Sequence, residues 1–206
     1  EIYNKKLKDY NHFLAHELKT PIAIVQSNLE VLEYWFDKEK ISNSKNELKN
    51  MTEIINGLLN FSETIQITNK IDINLENFIK QNLYFIEWWS NIKIINNEFN
   101  LSIHTDELLF ARVVKNLIEN ALKYSLDKKL NIILYSDKIK FENNIHRTLE
   151  QKDIDKIYKK YYSWSYNDEI WNGIWIPMID EIIKTLWFTM KISSNDYKFI
   201  VEIHFD

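Results

Sequence analysis

His16 and Glu17 stand side by side in Phe13-Leu-Ala-His-Glu-Leu-Lys-Thr-Pro-Ile-Ala-Ile, with Thr20 and Pro21 one helical turn further on. A neutral imidazole is a good nucleophile near pH 7, and a neighbouring carboxylate favours the positive charge that develops on it during attack. His16 lies two positions from both Leu14 and Leu18, so it turns away from the apolar face they share. Pro21 offers no N–H to the carbonyl of Glu17 and bends a helix at that point. A second group sits about 100 residues later, in Asn116-Leu-Ile-Glu-Asn-Ala-Leu-Lys-Tyr-Ser125. Asn116 and Asn120 are four apart and share one helical face, with Lys123 near that row. Two neutral oxygen donors can hold Mg²⁺ beside a phosphate, and the lysine supplies a point charge for the same phosphate.

Elements must hold these residues in place. Leu7, Leu14, Leu18, Val25, Leu29, Leu32 and Phe36 step by threes, fours and sevens, which predicts one helix over residues 1–38. A polar turn over Ile41–Lys45, with Ser44 as a cap, leads to a second helix over 45–65. Two such helices leave apolar faces uncovered, and a homodimeric four-helix bundle is the simplest way to bury them. From Thr68 the pattern changes to short strands alternating with helices. Strands are expected at 71–75, 92–95, 101–104, 130–135, 138–141, 189–192 and 198–205. Helices are expected at 75–89, from a cap at Thr105 or Asp106 to Tyr124, and at 153–162 and 178–186. A hairpin turn falls at Ser136-Asp137. The fold class is therefore α+β: a helical hairpin over 1–67, then a two-layer α/β sandwich over 68–206.

Bulk properties exclude several function classes. The 206 residues carry a net charge of −4, which implies no general attraction to nucleic acid or to membrane surfaces. No apolar run reaches the about 18 residues of a transmembrane helix. The absence of cysteine removes disulfide and thiolate chemistry and fits a cytoplasmic setting. The chain opens at Glu1 without an initiator methionine or signal-like segment, which reads as a fragment of a longer protein. His12 and His16 are four apart, but the further ligands of a metal site are not evident.

His-Glu-Leu-Lys-Thr-Pro followed by Asn-Leu-Ile-Glu-Asn-Ala-Leu-Lys-Tyr-Ser resembles a sensor histidine kinase of two-component signalling, over nearly the whole chain. The resemblance implies a dimerisation and phosphoacceptor hairpin joined to an ATP-binding domain of the GHKL (Bergerat) type. It implies that His16 accepts the γ-phosphate of ATP, that Glu17 takes or orients the imidazole proton, and that Thr20 positions water for dephosphorylating the partner. It places Asn120 as the Mg²⁺ ligand supported by Asn116, with Lys123 and Tyr124 at nucleotide-contacting positions. The implied partners are a second copy and the receiver domain of a response regulator. The implied location is the cytoplasmic part of a membrane-anchored sensor, without direct membrane or nucleic-acid contact in this segment. A degenerate member acting as phosphatase or phosphotransfer scaffold is the alternative. A GHKL ATPase of the chaperone or topoisomerase type would have no use for the histidine hairpin.

Two stretches depart from the family pattern. Where the family has an aspartate that reads adenine, followed by glycines, this chain has Phe141-Glu-Asn-Asn-Ile-His. Counting back from Ile157-Tyr-Lys-Lys-Tyr-Tyr162, which resembles the family's phenylalanine box, puts Asn144 at that aspartate, with Asn143 one residue off. The basic residue usual after the box is Ser163. In the lid, Trp171-Asn-Gly-Ile-Trp175 aligns to a glycine-rich loop. Gly173 matches a glycine there, while Trp171, Trp175 and Trp187 fall on other glycine positions. Only two glycines but seven tryptophans occur in the chain, and Arg112 and Arg147 are its only arginines. One hypothesis is that UGA codons meaning glycine in an AT-rich source were decoded as tryptophan; the alternative is genuine divergence to a weak or dead nucleotide site. As written, the lid is expected to bind ATP weakly.

Overall fold

Asp37 is where the helical hairpin turns. In the computed structural model, which describes residues 18–62, 69–83, 89–97, 101–158, 164–166, 169–171 and 175–205, helix α1 (18–32) gives way to a turn over 33–37. Asp37 Oδ1 accepts from the backbone N–H groups of Glu39 (2.9 Å) and Lys40 (3.2 Å) and so caps helix α2 (Lys38–Ser62). The turn expected at Ile41–Lys45 lies inside α2 instead. Ser44 is no cap: its hydroxyl donates back to Lys40 O at 2.9 Å and accepts from Asn28 Nδ2 at 3.2 Å. Asn28 and Ser44 are both buried, which ties the two helices in one register. Tyr34, Trp35 and Phe36 fall in the turn and are exposed, so Phe36 does not continue the apolar seam.

The face α1 turns to α2 runs through Leu18, Pro21, Val25, Asn28 and Leu32, all buried or half-buried. A second stripe is left over. Ile22 and Leu29 on α1, and Leu48 and Ile55 on α2, are each two members of one heptad spacing and are 40–53% exposed.

The chain divides into two compact units, Glu1–Glu63 and Thr64–Asp206. In the second unit, strands β2 (Ile92–Asn96), β4 (Leu130–Leu134), β5 (Lys138–Asn144), β8 (Phe188–Asn195) and β9 (Lys198–Phe205) form one sheet in the order β2-β4-β5-β9-β8. Only β2 and β4 run parallel; the other neighbours are antiparallel. Strands β1 (Lys70–Asn74) and β3 (Ser102–Asp106) pair separately. Helices α3 (Leu75–Leu83), α4 (Glu107–Tyr124), α5 (Gln151–Ile157) and α6 (Trp175–Thr185) complete the unit. A short pair, β6 (Trp164–Tyr166) and β7 (Glu169–Trp171), was not anticipated. The helical readings for 1–17, 63–65, 84–88 and 159–162 fall outside the described residues.

Alternation builds the core. Leu130, Ile132 and Leu134 on β4, Ile139 and Phe141 on β5, and Val201 and Ile203 on β9 are buried against Phe110, Val113, Val114, Leu117 and Ile118 of α4. Phe110 is at the centre, 5.4 Å from Phe78 and 6.1 Å from Phe188 between ring centroids. The opposite face of the sheet is charged. Glu142 accepts from Lys140 and Lys198, both at 2.7 Å, and Glu202 accepts from Lys138 at 2.8 Å.

Candidate functional site

Helix α4 carries the asparagine motif, and its position is set at both ends. Asp106 caps the start: Oδ1 accepts from Leu109 N at 3.0 Å and Oδ2 from Asn69 N at 3.2 Å. Ser125 ends the helix in extended backbone, and its buried hydroxyl donates to Asp127 Oδ1 at 2.9 Å and accepts from Lys129 N at 3.2 Å. Between these ends one face is buried from Leu109 to Leu122. Asn116, Asn120 and Tyr124 lie at its border, half-buried, with Lys123 exposed beside them. Asn116 Nδ2 donates to Arg112 O at 2.7 Å, which leaves Oδ1 as the atom it can offer a cation. Lys123 Nζ lies 5.4 Å from the Tyr124 ring centroid.

The loop after α4 is stitched to the end of β5. Leu126 N donates to Asn144 O at 2.8 Å, and Asn144 Nδ2 donates to Asp127 Oδ2 at 3.0 Å. Burial works to raise the Asp127 carboxyl, but the hydrogen bonds from Ser125, Asn144 and the Lys129 N–H outweigh it and hold it below the ordinary carboxylate range. The asparagine helix and the Asn143-Asn144 pair are thus brought together by one short loop.

Asn144, the residue expected to read adenine, lies at the end of β5. Its side chain is exposed and committed to Asp127. Asn143 shares strand parity with Ile139 and Phe141, so it lies on the helix-facing side, 5% exposed, with only a long 3.4 Å contact from Nδ2 to Asn144 O. Counting alternation outward from Ile139 through Phe141 would have found it in the sequence. Asp127 and Ser125 carried no comparable signal, because their role comes from the pairing of the loop with β5.

The centre of the stretch expected to form a lid lies outside the described residues. Trp171 ends β7, Trp175 begins α6, and Gly173 lies outside the described residues. His16 and Glu17 lie outside them too. Thr20 is on α1, exposed, lining an open groove of about 500 Å³ with Lys19, Ala23, Ile24, Ser27 and Asn28. Among the described residues no group of three or more His, Cys, Asp or Glu could hold a metal ion. Two amide oxygens on α4 are a donor set that suits a hard, partly hydrated divalent cation completed by phosphate and water.

Residues 7–65 match the His Kinase A (phospho-acceptor) domain family, a span that contains both His16 and Thr20. The segment is thus a His Kinase A domain, and the chain as a whole is similar to sensor histidine kinases. Sensor protein CopS of Pseudomonas syringae pv. tomato is 25% identical over 174 residues, which are 76% of this chain and 35% of CopS. Histidine kinase AdeS of Acinetobacter baumannii superposes with a TM-score of 0.64 at 19% identity, over 93% of this chain and 97% of that one. Histidine kinase ThkA, in complex with response regulator protein TrrA, gives 0.71 at 17% identity over 98% of this chain and 64% of that one. Likeness to structures at this identity carries the fold. The chain spans about a third of the length of the first curated relatives it matches, 35% of CopS and 32% of sensor histidine kinase HprS of Escherichia coli.

Proposed function

We propose that this chain is the core of an ATP-dependent protein-histidine kinase that phosphorylates its own His16 and passes the phosphoryl group to an aspartate on a response-regulator receiver domain. The observation that carries the reading is the phospho-acceptor match around His16, joined to a sandwich whose α4 presents Asn116 and Asn120 along one border. An imidazole nitrogen of His16 attacks the γ-phosphorus, and the bond from that phosphorus to the β-phosphate oxygen breaks, releasing ADP. The ring proton passes to Glu17, and the phosphoryl group leaves later for the receiver carboxylate. Phosphoryl transfer depends on in-line positioning and charge neutralisation more than on covalent help. Mg²⁺, when bound, supplies part of that neutralisation. Asn120 and Asn116 are its proposed protein oxygens, with Lys123 beside the phosphates and Tyr124 against the nucleotide.

Asn143 is the better candidate for reading the base, because it faces the helices while Asn144 is tied to Asp127. Thr20, exposed on α1, is the residue proposed to position water in the reverse reaction. The exposed pairs Ile22/Leu29 and Leu48/Ile55 support a homodimer whose second copy covers them. ThkA's complex with TrrA supports a receiver domain as the other partner. No helix among the described residues is long and apolar enough to cross a membrane, and we propose that this segment is the cytoplasmic part of an anchored sensor.

Tryptophan at 171, 175 and 187 favours a second reading for the polypeptide as written, a phosphatase or phosphotransfer scaffold acting through His16, Glu17 and Thr20. Incubation with γ-labelled ATP separates the two. The kinase labels itself and loses the label in His16→Ala; a scaffold stays unlabelled but accepts or removes phosphate on a receiver.

A further inference from the structure

Helix α6 ends through a residue with left-handed backbone. Leu186 N donates to Ile182 O at 2.9 Å, Trp187 N donates to Lys184 O at 3.2 Å, and Trp187 itself sits at φ 68. Its neighbours Leu186 and Phe188 are buried at 1% and 8% exposure, whereas the Trp187 side chain is 73% exposed. The position therefore serves the chain through its backbone, bringing β8 off α6 so that Leu186 and Phe188 both reach the core. The indole does no packing that would repay its placement. Helices that stop in this way take glycine at this position, because a Cβ there crowds the following carbonyl oxygen. A bulky residue at such an angle is a genuine outlier.

The chain's own glycine usage sharpens the point. Among the described residues no glycine has positive φ, while Lys128, Trp187, Asp196 and Tyr197 do. Lys128, Asp196 and Tyr197 lie in tight turns; Trp187 alone of the four caps a helix, and UGA lies one base from its usual codon. We infer that residue 187 is glycine in the protein the source organism makes, its codon being UGA read there as glycine. The same assignment extends to Trp171, the last residue of β7, and Trp175, the first of α6.

Tyr197 reaches φ 61 with a codon that reassigned UGA does not touch, so the backbone and the code need separate readouts. For the backbone, thermal unfolding is compared for the chain as written, Trp187→Gly and Trp187→Ala. Relief at the left-handed position predicts that Trp187→Gly melts about 2–4 °C above both others. Equal melting of Trp187→Gly and Trp187→Ala would overturn it, since loss of an exposed indole would then be the whole effect. For the code, the gene is read at 171, 175 and 187, and the peptide covering 185–191 is weighed from source cells. UGA codons and a glycine mass are expected; UGG codons or a tryptophan mass sink the inference. None of these readouts needs nucleotide, so their failure and failure of the kinase reading are distinguishable.

Discussion

An asparagine offers its oxygen to a cation most effectively when its nitrogen is already occupied, and Arg112 O does that for Asn116. The two candidates on β5 differ in what their amides already hold. Asn144 has given its amide to Asp127, while Asn143 lies on the helix side with little to hold it. A neutral amide accepts from an amine less strongly than a carboxylate does. Asn143→Asp is therefore expected to tighten ATP–Mg²⁺ binding by about 1 kcal/mol, near fivefold, in calorimetry on the form with glycine at 171, 175 and 187. An unchanged affinity would remove Asn143 from the base-reading role. Glu142 tests the outer face of the sheet. Burial works to raise its carboxyl, yet hydrogen bonds and charge from Lys140 and Lys198 win and hold it below the ordinary 4.5. A depressed folded-state pKa contributes stability that is present above the unfolded value and lost as pH falls through the folded one. Glu142→Gln is expected to cost about 1–3 kcal/mol at pH 7, and urea unfolding should show the gap closing below about pH 4.

At the scale of elements, caps explain both what could be read in the sequence and what could not. The start of α4 was legible because Asp106 stands directly before an amphipathic run, and the structure uses it as the cap. The hairpin at Ser136-Asp137 was legible from alternation on both sides, and Tyr135 N does donate to Lys138 O. The turn between α1 and α2 was misplaced by about eight residues, because Tyr34, Trp35 and Phe36 continue an apolar rhythm that solvent, not a partner helix, receives. Asp37 was the signal passed over, and Ser44 looked like a cap while serving as a buried link to Asn28. The β6–β7 pair was missed since three-residue strands are too short to show a period. Asp106→Ala should lower stability by about 1–2 kcal/mol, read by thermal unfolding. An effect within about 0.5 kcal/mol would show that the cap and its link to Asn69 are dispensable.

At the scale of the whole molecule, the hairpin's second apolar stripe is what supports the proposed dimer. Covering half-exposed Ile22, Leu29, Leu48 and Ile55 would contribute roughly 1 kcal/mol for each side chain in each copy, enough in sum to favour a bundle of four helices. Leu48→Asp should leave the isolated fold nearly untouched, because Leu48 is already 50% exposed. It should shift the mass in analytical ultracentrifugation from dimer to monomer. A wild-type chain that sediments as a monomer at micromolar concentration would remove the bundle from the account.

The proposed reaction can be located on the chain. The direct measurement is to incubate the protein bearing glycine at 171, 175 and 187 with ATP and Mg²⁺, then map the phosphoryl group by mass spectrometry under neutral conditions. A phosphorylated peptide containing His16, absent in His16→Ala and in Asn120→Ala, is the predicted result. A folded, ATP-binding protein with no phosphate on His16, or with phosphate that persists in His16→Ala, would contradict it.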